Sequence, residues 1–157
     1  MKKKYNFIII TIFTCFTVAL FCQCKSSTSD NIVFIENGKI KLGFEKKTGK
    51  FLVFNDLITG HEFIDQNLVR KLPWEINTQS SADKSSTVKE FSPAKFSFSK
   101  VDPFTLILEW EKIENLKNLN VKAEISLDKN DAFSYWNISV NGFDDAVISN
   151  VVFPRIE

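Results

Sequence analysis

Residues 132–141 read AFSYWNISVN, and their side chains alternate. Trp136, Ile138 and Val140 fall on one face, Tyr135, Asn137 and Ser139 on the other. A period of two is the mark of a strand with one face in a core. Asp128, Lys129, Asn130 and Asp131 give a turn signal before the segment, and Gly142 follows it. Trp136 is the largest apolar group available to fill the space between two sheets. The segment is therefore expected to be a central strand of a β-sandwich.

The neighbouring segments have the same rhythm. Residues 31–35 are a short apolar run, and Glu36-Asn37-Gly38 turns the chain. Ile40, Leu42 and Phe44 alternate with Lys39, Lys41 and Glu45. Lys47-Thr48-Gly49 then makes a hairpin turn in which Gly49 supplies a positive φ, and residues 51–54 run back. Residues 56–64 read as a loop or weak strand broken at Gly60. Residues 72–76 read as a strand with Pro73 at its start or at an edge, because proline has no N–H to give a ladder. Residues 78–89 are rich in Ser, Thr, Lys and Asp and predict a surface loop. Phe96 and Phe98 share one face of a strand against Lys95, Ser97 and Ser99, and Leu106, Leu108 and Trp110, then Val121, Ala123, Ile125 and Leu127 form successive inward rows. Residues 142–145 predict a turn, and residues 147–153 a last strand. Eight or nine short strands with no amphipathic helix predict an all-β, antiparallel, two-layer sandwich. A chain of 157 residues with 16 Phe and three Trp suffices for one such domain.

Upstream of the domain the composition changes abruptly. Lys2, Lys3 and Lys4 precede an apolar stretch, residues 7–21, interrupted only by threonines. This is the pattern of a helical signal segment, somewhat short for a membrane span. CQCKSS follows. A cysteine closing such a stretch resembles the lipobox of bacterial lipoproteins, whose cysteine is lipidated and becomes the first mature residue. Cys24 is the expected lipidation site, with Lys25, Ser26 and Ser27 as the start of its tether, and Cys22 is the alternative. Residue 23 is Gln rather than a small residue, so plain secretion and an uncleaved anchor stay open. The expected organisation is a signal peptide over residues 1–23, a lipid-tethered linker over 24–31 and a sandwich over 32–157, in the periplasm or on the outer membrane. All three cysteines lie in the first 24 residues, so the folded part is expected to hold neither a disulfide nor a Cys-based metal site. Removing the leader leaves 17 basic against 19 acidic residues, which gives no basic patch for nucleic acid.

Reaction chemistry is hard to find in the residues. His61 is the only histidine, and nothing at nucleophile or metal-ligand spacing accompanies it. The five glycines are scattered, so no phosphate loop is formed. Asp144 and Asp145 are adjacent in a turn, Glu109 and Glu111 face solvent, and Glu62 and Asp65 lie in a loop. None is marked as one of a pair of carboxyls flanking a glycosidic bond. No catalytic residue, metal or cofactor is assigned. Aromatic rings can stack on sugars; Trp110 and Trp136 belong to inward rows, which leaves Trp74 as the candidate carbohydrate contact.

Several pieces, taken in order, resemble the N-terminal β-sandwich of bacterial glycoside-hydrolase-like proteins, a relative of the galactose mutarotase-like supersandwich. They are Asn37-Gly38-Lys39-Ile40-Lys41-Leu42-Gly43-Phe44, Lys47-Thr48-Gly49, Ile58-Thr59-Gly60-His61-Glu62-Phe63-Ile64, Leu72-Pro73-Trp74-Glu75-Ile76, Trp136-Asn137-Ile138-Ser139-Val140-Asn141 and Val151-Val152-Phe153-Pro154-Arg155-Ile156. The resemblance implies a partial supersandwich that precedes a catalytic (β/α)-barrel in a longer product and packs on it. The family's catalytic residues then have no counterpart among these. The expected role is a non-catalytic, carbohydrate-associated accessory domain on an exported lipoprotein. The rival expectation is a stand-alone structural or adhesion lipoprotein with a protein partner.

Overall fold

The structure is a computed structural model that describes residues 28–65, 71–79, 86–88, 93–113, 118–142 and 147–156. The chain divides into two units, Met1–Asp30 and Asn31–Glu157. The expected signal helix, Cys22, Cys24 and the 143–145 part of the predicted turn all lie outside the described residues. Among the described residues no helix is long and apolar enough to cross a membrane, and the only helical piece is a 3-10 turn over Thr28–Asn31.

The second unit is all β and antiparallel. Its strands are β1 (Ile32–Glu36), β2 (Ile40–Glu45), β3 (Phe51–Asp56), β4 (Glu75–Gln79), β5 (Ser86–Val88), β6 (Pro93–Asp102), β7 (Thr105–Ile113), β8 (Asn120–Leu127), β9 (Ser134–Asn141) and β10 (Val147–Val152). They form three sheets, in the orders β1-β2-β3, β10-β4-β5 and β6-β7-β8-β9. Side chains from all three meet in one apolar core.

The inward rows explain why these segments pair as they do. On β7, Leu106, Leu108 and Trp110 are fully buried, and on β8 so are Val121, Ala123 and Ile125. The register sets Leu106 opposite Ile125, Leu108 opposite Ala123 and Trp110 opposite Val121, so large and small groups interleave. Ile40, Leu42 and Phe44 on β2, with Val33 and Ile35 on β1, supply the facing layer. Each fully buried aliphatic side chain of this kind contributes about 1.5–3 kcal/mol through removal from water. Polar ties join the layers at their rim. Asn37 Nδ2 donates to the carbonyls of Asp128 and Asp131, and Lys39 Nζ donates to that of Asn130 at 2.7 Å.

Three expectations need correction. The strand expected over 72–76 begins only at Glu75; Pro73 is buried in the connector ahead of it, where its missing N–H breaks no ladder. The predicted loop over 78–89 includes the end of β4 and all of β5, because main-chain pairing between Asn77–Gln79 and Ser86–Val88 does not depend on apolar alternation. The segment around Trp136 is an edge strand, not a central one. After β9 the chain leaves that sheet, and β10 pairs with β4 in another.

The β2–β3 turn shows the cost of space. Gly49 (φ 72°) and Gly60 (φ 73°) both occupy the left-handed region, but a Cβ on Gly49 would lie 2.4 Å from the Phe96 ring and 2.8 Å from that of Trp110, whereas one on Gly60 would meet nothing within 4 Å. Gly60→Ala should therefore cost about 1–2 kcal/mol of backbone strain, and Gly49→Ala about 1–3 kcal/mol more for overpacking. Urea unfolding of the two variants measures the difference; equal losses would mean that the Gly49 turn does not press on the core.

Candidate functional site

A continuous row of rings runs from the core to the surface at the end of β3. Phe44 stacks on Phe51 at 4.8 Å, and Phe51 meets the edge of Trp136 at 5.3 Å. Trp136 in turn meets Phe153 at 5.6 Å. In the other direction Phe51 approaches Phe54 at 6.0 Å, Phe54 meets Phe63 at 4.6 Å, and Phe63 meets His61 edge-on at 4.8 Å. The inner members are buried or half-buried, whereas Phe63 is 47% exposed and His61 is exposed.

Local chemistry holds the outer members in place. Past β3, residues 57–59 turn and Gly60 sends the chain back, so that Glu62 forms a single bridge with Asn55. Phe63 N–H donates to the Phe54 carbonyl at 2.8 Å, and Asp56 N–H donates to that of His61 at 2.9 Å. Neighbours across such a bridge share a face, which is why Phe63 lies against Phe54. Asp56 fixes the turn. Its Oδ1 accepts from the N–H groups of Ile58 and Thr59, and its Oδ2 from the Thr59 hydroxyl at 2.7 Å. These donors favour the ionised form and hold the carboxyl below the usual aspartate range; the Thr59 hydroxyl has the largest effect, and His61 adds a small attraction. The tip between them is apolar and open, with Ile58 69% exposed beside Leu57. The arrangement presents one open aromatic ring bordered by an imidazole, with a carboxylate that interacts with the imidazole on a braced turn.

Trp74 is only 3% exposed, packed edge-on to Trp110 at 5.7 Å. It has no face to offer a sugar, which corrects its assignment as a carbohydrate contact: the connector after Pro73 turns it into the core. Trp110 is fully buried, and its Nε1 donates to the Thr48 carbonyl at 2.9 Å. Glu109 and Glu111 lie on the outer face, paired with Lys122 and Lys95 respectively. Among the described residues, no group of three or more His, Cys, Asp or Glu side chains is placed to hold a metal. Two of the ordered motifs are brought together. Arg155 pairs with Glu75 at 2.8 Å, with both side chains largely buried, and Arg155 N–H donates to the Pro73 carbonyl. The sequence reading missed the Phe63–His61 pair. Its signal was two rings two residues apart just after a turn glycine.

No protein-family model matches the chain, and no curated protein matches it at a significant level.

Burial separates the two core indoles by their polar atoms. Among the described residues Trp74 Nε1 is buried without a hydrogen-bond partner, whereas Trp110 Nε1 has one. Replacing Trp110 with Phe removes a made bond and strands the Thr48 carbonyl; replacing Trp74 with Phe removes an unmade one. Trp110→Phe should lose about 1–2 kcal/mol more stability than Trp74→Phe in chemical denaturation. The opposite ranking would place the unsatisfied donor at the wrong indole.

Proposed function

We propose that this chain is a non-catalytic, carbohydrate-associated β-sandwich domain of an exported bacterial lipoprotein, serving as an accessory to a glycoside hydrolase. In this reading the lipid sits on Cys24, or on Cys22, and tethers the domain to a membrane through the polar linker. The sandwich is part of a larger galactose mutarotase-like supersandwich that packs on a catalytic barrel. The ordered motifs support the reading, and the docking of Arg155 on Glu75 gives two of them a shared structural purpose.

The observation that carries the carbohydrate assignment is the open ring of Phe63, backed by Phe54 and bordered by His61, with the Asp56 carboxylate interacting with that imidazole. A pyranose presents an apolar C–H face and a rim of hydroxyls. An exposed ring suits the first, and an ionised carboxylate beside an imidazole suits the second. The contact is expected at Phe63 rather than at the buried Trp74. The exposed apolar tip at Leu57 and Ile58 favours the second reading, a protein-binding lipoprotein, because apolar side chains at a loop tip suit a protein surface better than a sugar.

Titration calorimetry with a panel of neutral oligosaccharides distinguishes the two. Binding by the wild type, weakened about tenfold or more in a Phe63→Ala variant that circular dichroism shows to be folded at the assay temperature, is the outcome expected, at about 1.4 kcal/mol per tenfold. Trp74→Phe should bind like the wild type. Absence of sugar binding, or a Phe63→Ala variant that binds normally, would reject the carbohydrate reading at this site.

A further inference from the structure

Among the described residues the three sheets have six outer edges, and five of them are blunted. On β1, the Phe34 carbonyl is taken by Lys100 Nζ at 3.1 Å. β3 is capped by the bridge from Asn55 to Glu62. β5 is only three residues long, and β10 is broken by a register shift between Ile148 and Asn150. β6 begins at Pro93, carries Lys95 and Lys100, and has a register shift near its end. Short strands, prolines, lysines and bulges are the devices that keep strand edges from pairing with other chains.

β9 carries none of them. It runs for eight residues, SYWNISVN, paired with β8 without a register break, and contains no charge, proline or glycine. Among the described residues nothing pairs with its outer edge. Its inner row is also unfinished. Trp136, Ile138 and Val140 are only half-buried, although the adjacent row of β8 is fully buried.

We propose that β9 pairs with β9 of a second copy of this chain, antiparallel about a two-fold axis at Ile138, to make one continuous eight-stranded sheet. A two-fold axis perpendicular to a sheet keeps each side chain on its own face, so only registers that match inward with inward residues are allowed. Centred on Ile138, the inner face sets Ile138 against its own copy and Trp136 against Val140. On the outer face Asn137 meets Ser139 and Tyr135 meets Asn141. Every pair is apolar with apolar or polar with polar, and no like charges meet. The same pairing covers the half-exposed inner row. β9 offers no charge for a charged strand to complement, and its alternation matches itself about Ile138, so a second copy is the occupant proposed; the rival is a strand from the rest of the supersandwich, which would leave this chain monomeric.

The register gives a test confined to the outer, exposed positions. Asn137→Lys with Ser139→Lys sets lysine against lysine twice across the axis. Asn137→Lys with Ser139→Glu sets lysine against glutamate twice, and within the chain these new charges face Glu124 and Lys122. Sedimentation equilibrium of the full chain in non-ionic detergent compares both with the wild type, and circular dichroism checks that each folds. The wild type should be a dimer. The Lys/Lys variant should dissociate with a constant raised about tenfold or more, and the Lys/Glu variant should stay dimeric. A wild type that remains monomeric overturns the proposal. So do two variants that behave alike, whether both dimeric or both monomeric, since either outcome removes the β9 register.

Discussion

The indole of Trp110 is where the three sheets are joined. It lies on β7 in the four-stranded sheet, fully buried, and its N–H bonds the Thr48 carbonyl in the β2–β3 turn of the first sheet. Trp74, which leads into β4 of the second sheet, meets it edge-on, and Phe96 from β6 lies against it at 5.4 Å. Gly49 exists as glycine because this ring and that of Phe96 leave no room for a Cβ. One side chain therefore sets how closely a turn, a connector and two strands can approach. A buried indole is suited to this: it has a large apolar area for the core and one directional donor to choose a partner.

From that point the molecule grades from closed to open. Around Trp110 every inner side chain of β7 and β8 is buried, and toward β9 the same face becomes half-buried. The ring series through Phe51 and Phe54 continues the grade until Phe63 and His61 stand in solvent. The two functional proposals occupy different parts of this open side. The Phe63 ring is a face for a small polar ligand, and the β9 edge is a row of main-chain groups for another strand. Both follow from a core that is complete at one end of its sheets and incomplete at the other.

Much of this architecture could be read in the residues, for a definite reason. Where one face of a strand is wholly buried and the other reaches solvent at least in part, alternation reports the strand and its register together. That holds most cleanly for β8, whose outer row is mostly exposed, and still for β2 and β7, whose outer rows are largely half-buried; Ile40, Leu42, Phe44 and the rows from Leu106 and Val121 are inward as expected. Alternation says nothing of a strand's place in its sheet. AFSYWNISVN has as clean a pattern as β8, yet it is an edge, because position depends on where the following chain pairs. β5 gave no signal, since three main-chain pairs need no apolar code. Trp74 beside a proline resembled a surface aromatic, but it lies in a connector that is tied at Pro73 to Arg155, 82 residues further along the chain. The bond from Trp110 to Thr48 spans 62 residues and has no local trace at all.

The central claim is that three sheets share a single cooperative core. Native-state hydrogen exchange in increasing denaturant tests it directly, by following the amides of Leu42 in the first sheet, Ile76 in the second and Leu108 in the third. If the core is shared, all three exchange only through global unfolding, and their opening free energies converge on one line. If Leu42 or Ile76 opens at a distinctly lower free energy, with its own dependence on denaturant, the sheets are separate folding units and Trp110 does not bind them into one.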